Sequence, residues 1–141
     1  MTTIAEVRAG LVVAINTGLG GTPWYAAAYV GEQVNPPEIK VSLPAFDPRF
    51  VFGEAKKSVT FRVSAYATRA GGDASEILLD ALCEPTGTTG SRIGAVQTST
   101  NWAITVDFAQ VTQVGEIGVT TYGTNDVAEY FFRPFDVEVV W

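Results

Sequence analysis

The chain has 141 residues, 47% of them hydrophobic and only 17% charged, with a formal net charge of −6. That length is about one domain, able to bury roughly two thirds of its unfolded surface, and the composition excludes a disordered or collagen-like chain. The acidic balance argues against sequence-independent DNA binding, which is mostly phosphate neutralisation by Lys and Arg; the largest basic cluster is the pair Lys56-Lys57.

Thr3-Ile4-Ala5-Glu6 is a capping box, in which the hydroxyl and carboxylate serve each other's backbone N–H groups. Ile4, Val7, Leu11, Ala14 and Ile15 recur at helical spacing, so a helix is expected from Ile4 to Thr17, with Gly18 as a left-handed stop. "WYAAAYV", 24 to 30, reads as a strand buried on both faces. After "NPP", "EIKVSL" alternates: Ile39, Val41 and Leu43 point one way, and Glu38, Lys40 and Ser42 point to solvent. Residues 44 to 57, "PAFDPRFVFGEAKK", form a protruding loop or hairpin. Loops of that length are uncommon in compact domains and often functional. Val59, Phe61, Val63, Ala65 and Ala67 then mark a half-buried strand.

Gly71-Gly72 closes that strand, and Asp73 and Glu76 repeat the capping pattern at the start of a second helix. Its expected buried stripe is Ala74, Ile77, Leu78, Ala81 and Leu82, and Pro85 ends it. "SRIGAVQ", 91 to 97, has room for one or two helical turns. Trp102, Ile104, Val106 and Phe108 alternate as a strand. A second strand covers Val111 to Tyr122, kinked at Gly115 or Gly118. "GTND", 123 to 126, has hairpin-turn chemistry, and a last strand runs from Val127 to Trp141. There is no regular βαβα order. The expectation is a single α+β domain, a mixed or antiparallel sheet with two main helices packed on one face.

The last strand poses a register problem. Phe135, Val137, Val139 and Trp141 share one face, but Phe131 and Phe132 are adjacent. A bulge near Arg133-Pro134 would bring Tyr130 and Phe132 onto the face of Phe135. Phe131 would then point outward, where a neighbouring subunit could bury it. Arg49, Phe50, Phe52, Lys56 and Lys57 form a second candidate protein-binding edge, because aromatic residues and Arg are enriched at interface cores. The alternative for these phenylalanines is that they fold back over the core.

Catalytic chemistry finds little footing. The chain has no histidine and one cysteine, which removes Ser-His-Asp and Cys-His constellations, zinc sites and any internal disulfide. Cys83 sits in an apolar helical pattern as a buried thiol. "GLGG", 18 to 21, follows a helix and not a strand, which does not suit a dinucleotide site. Asp73, Glu76, Asp80 and Glu84 read as caps and a solvated face, and Asp136 and Glu138 as the polar face of a strand. No catalytic, cofactor or metal residues are therefore assigned, and the protein is expected not to be an enzyme. "MTTIAEVRAG" lacks the pattern of a signal peptide, and "LVVAI" is too short to span a membrane. Folding in a cytoplasm, without membrane contact, is expected.

The order of these features resembles the small tail terminator proteins of long-tailed bacteriophages. The likeness runs through "IAEVRAGLVVAIN", "WYAAAYV", "NPPEIKVSLP", "FDPRFVFGE", "SVTFRVSAYAT", "DASEILLDALCE" and the closing "FDVEVVW". It implies a structural virion protein at the head–tail junction, assembled in the host cytoplasm. Its implied partners are further copies of itself in a hexameric ring, the tail-tube protein and the head connector or stopper. DNA would pass through without specific binding. In "GTTGSRIGAVQ" the family pattern calls for a longer helix than the sequence offers. Two other classes stay open: another head–tail connector, neck stopper or tube protein, and a small-molecule binding module. If the 44 to 57 segment caps the tube, the double variant Phe50→Ser with Phe52→Ser will fold but give particles with unregulated tails. Normal tail lengths and head joining in that variant would defeat the idea.

Overall fold

The computed structural model describes residues 2–20, 22–29, 34–44, 57–82, 102, 106, 108–121 and 128–141. Helix α1 (Ile4–Gly18) starts on the capping box: the Thr3 hydroxyl accepts the Glu6 N–H at 3.2 Å, and Glu6 accepts the Thr3 N–H at 2.7 Å. Val7, Leu11, Ala14 and Ile15 are buried along its inner face. Gly18 is not a left-handed stop. It lies in the last turn, and the end is closed by Leu19, whose N–H donates to the Ile15 carbonyl while its side chain is buried.

The sheet has six strands among the described residues: β1 (Tyr25–Ala27), β2 (Glu38–Ser42), β3 (Ser58–Thr68), β4 (Phe108–Val114), β5 (Gly118–Thr121) and β6 (Glu129–Val140). The order across it is β1-β2-β3-β6-β4, with β5 also on β6. Only the β1–β2 pair is parallel among the pairs described, which makes the sheet mixed. Helices α1 and α2 (Asp73–Ala81) contribute to one core with Ile39, Val41, Phe61, Val63, Phe135 and Val137. The fold is the expected α+β arrangement.

Several local expectations change. Among the described residues of "WYAAAYV", three form strand, and Tyr25 is exposed while Ala26 is buried. The reason is that β1 lies at an edge. The side chain of Asn16, from α1, takes both backbone groups of Ala26: Oδ1 accepts its N–H at 2.8 Å and Nδ2 donates to its carbonyl at 3.3 Å. Helix α1 thus closes the edge that another strand would otherwise extend.

Helix α2 is turned by about one residue from the expected stripe. Ser75, Leu79 and Leu82 are buried, whereas Ala74 and Ile77 are exposed. A 3-10 turn at Arg69–Gly71 leads into it, and Gly72, at φ 53°, is the N-cap in place of Asp73. The Ser75 hydroxyl donates to the Thr68 carbonyl at 2.6 Å, fixing the helix start to the end of β3.

The largest correction concerns β6. It pairs with β3 in one unbroken register, from Ser58↔Val140 to Thr68↔Tyr130, so no bulge occurs at Arg133-Pro134 on that side. The irregularity sits in the neighbour. Strand β4 spans the expected gap at 110, shifts register between Val111 and Gln113, and stops before Gly115; β5 resumes at Gly118. Gly115 donates its N–H to the Pro134 carbonyl at 2.8 Å, and proline has no N–H to return. The Nε of Arg133 supplies the missing donor to the Gly115 carbonyl at 3.1 Å. The expected segments at 83 to 85, 91 to 97 and 123 to 126 lie outside the described residues, as does Cys83.

A Cβ on Gly115 would lie 2.5 Å from Pro134 Cγ, whereas one on Gly20 would meet only the Thr17 carbonyl, at 3.4 Å. Gly115→Ala should therefore cost about 1–3 kcal/mol by overpacking. Gly20→Ala should be close to neutral. Denaturant unfolding of both variants checks the contrast.

Candidate protein-interaction surface

The residues singled out by sequence fall into three groups. Arg49, Phe50, Phe52 and Lys56 lie outside the described residues. Lys57 is placed: its backbone exchanges two 2.9 Å hydrogen bonds with Trp141, adding a rung to the β3–β6 ladder. Phe131 is not on an outer face. The unbroken register puts it with Phe135, Val137 and Val139 toward the helices, at 9% exposure, with the Arg69 guanidinium 5.0 Å from its ring centroid. Its role as a surplus aromatic awaiting a partner is thereby withdrawn.

The sheet's other face carries a polar and aromatic layer. Tyr66 stacks on Phe132 with centroids 6.3 Å apart and meets Tyr130 edge-on at 6.4 Å. Val34 packs in the same small cluster. Beside it, Lys40 Nζ lies 2.9 Å from Glu38 Oε1, and both side chains are almost fully buried. The second carboxylate oxygen accepts the Asn35 N–H at 2.9 Å. These charges were expected on a solvated face. They are covered because β2 is flanked on both sides, Glu38 by Tyr25 and Tyr66 and Lys40 by Ala27 and Ser64. The sequence signal for it is opposite charges two residues apart on a strand, which share one face. Farther along, Arg62 Nε pairs with Asp136 at 3.2 Å, where both groups are more exposed.

The Glu38 carboxylate has a donor on each oxygen, so its charge is already spent on the fold. Partial desolvation, then the hydrogen bond to Glu38 and its negative charge, hold the Tyr25 hydroxyl above the usual tyrosine range. Desolvation also pushes Tyr66 up, against a hydrogen bond with Ser64. Among the described residues no cluster of three or more His, Cys, Asp or Glu could hold a metal ion. No helix among them is long and apolar enough to cross a membrane.

The exposed apolar side chains are the surface feature that the sequence pattern did not reveal. Among the described residues the large ones are Val13, Tyr25, Tyr29, Ile77, Val114 and Val119. Val13 belongs to α1 and Tyr25 to β1, at one edge of the sheet; Tyr29 follows β1 and stacks under Arg8 of α1 at 4.6 Å. Val114 and Val119 belong to the β4/β5 edge opposite. Ile77 is one turn from Asp80, which pairs at 3.1 Å with Arg133, the same residue that holds Gly115 between β4 and β5. Comparison with protein-family models gives no match, and comparison with curated proteins gives none either.

Two measurements test the buried layer. Lys40→Met leaves a buried carboxylate without its cation and should cost about 3–5 kcal/mol; combining it with Glu38→Gln should recover part of that loss. For Tyr66 the folded-state pKa is raised above the ordinary tyrosine value. Its contribution is therefore complete at pH below that ordinary value and is lost as pH rises through the folded value. Tyr66→Phe should flatten the alkaline decline in melting temperature while leaving neutral-pH behaviour nearly unchanged.

Proposed function

We propose that this chain is a structural virion protein of a long-tailed bacteriophage. It acts as a tail terminator: a ring of copies on the head-proximal end of the tail tube, joining tube to head connector. The observation that carries the reading is the order of elements. An amphipathic N-terminal helix precedes a short strand that follows Trp24, a strand led in by Asn35-Pro36-Pro37, an eleven-residue strand, a second helix and a C-terminal set of antiparallel strands. This is the order on which the family resemblance rests.

Two physical features support it. The net charge of −6 and the lack of a basic cluster suit a channel through which DNA must slide without sticking. The low charge content, with apolar side chains exposed at both edges of the sheet, suits a subunit that meets other protein on two sides. The mechanism is geometric. A head-to-tail contact closes into a ring when the rotation between subunits divides a full turn. Tube growth stops because the far face of the ring differs from that of a tube subunit. No chemical step is involved.

Electron microscopy of labelled virions decides the matter. One ring of label per particle at the head–tail junction is expected, and loss of the protein should give overlong, headless tubes. Label repeating along the tail would make it a tube subunit. Label on isolated heads without tails would make it a stopper.

A further inference from the structure

We draw no further inference here: the strongest candidate, the row of Tyr25, Tyr66 and Phe132 that crosses the sheet face opposite the helices on either side of the buried Glu38, carries none, because nothing in the structure shows what ligand or partner would cover it.

Discussion

The pairing of β3 with β6 governs the rest of the molecule. Eleven consecutive residue pairs hold one register between strands some seventy residues apart in sequence. In a strand the side chains alternate strictly, so one register fixes every residue on both strands to a face. Val59, Phe61, Val63, Ala65 and Ala67 meet Val139, Val137, Phe135, Arg133 and Phe131 beneath the helices. Slipping by a single residue would turn that whole core to the other side. Lys57 and Trp141 extend the ladder, which is how the C-terminal residues are held.

That constraint has a consequence at Pro134. A proline inside a central strand removes a ladder hydrogen bond, and β6 does not bend to relieve it. The disturbance passes to the neighbouring strand, which breaks at Gly115–Ile117. Arg133 then bridges the break and α2 through the Gly115 carbonyl and Asp80. Val114 and Val119, on either side of the break, are exposed at the sheet edge.

The two faces of the sheet divide the labour. The helix face is mostly apolar among the described residues, and the Arg133 that lies on it is held by the Gly115 carbonyl and Asp80. The opposite face buries a charge pair and Tyr130, with Tyr66 and Phe132 half-buried around it. A buried ion pair is weak evidence for stability, because desolvation offsets much of its attraction. Here the hydrogen bond from Asn35 and the neighbouring tyrosines fix one arrangement, which ties the β1–β2 edge to the centre of the sheet.

Local patterns were legible wherever the physics is local. The capping box, the α1 stripe and the alternation of β3 depend on residues within a few positions of one another, and they stand in the structure as the sequence implies. The buried stripe of α2 was off by one residue because a hydrogen bond from Ser75 to the end of β3 sets its rotation. The burial of Glu38 and Lys40 depends on what lies across from them in β1 and β3, and the inward turn of Phe131 on a register held from seventy residues away. The sequence by itself determined the element types, the fold class and the poverty of catalytic groups, because periodicity and composition are properties of the chain alone. Tertiary structure decided which faces are buried and which edges remain open, because those depend on partners that the chain brings together only by folding.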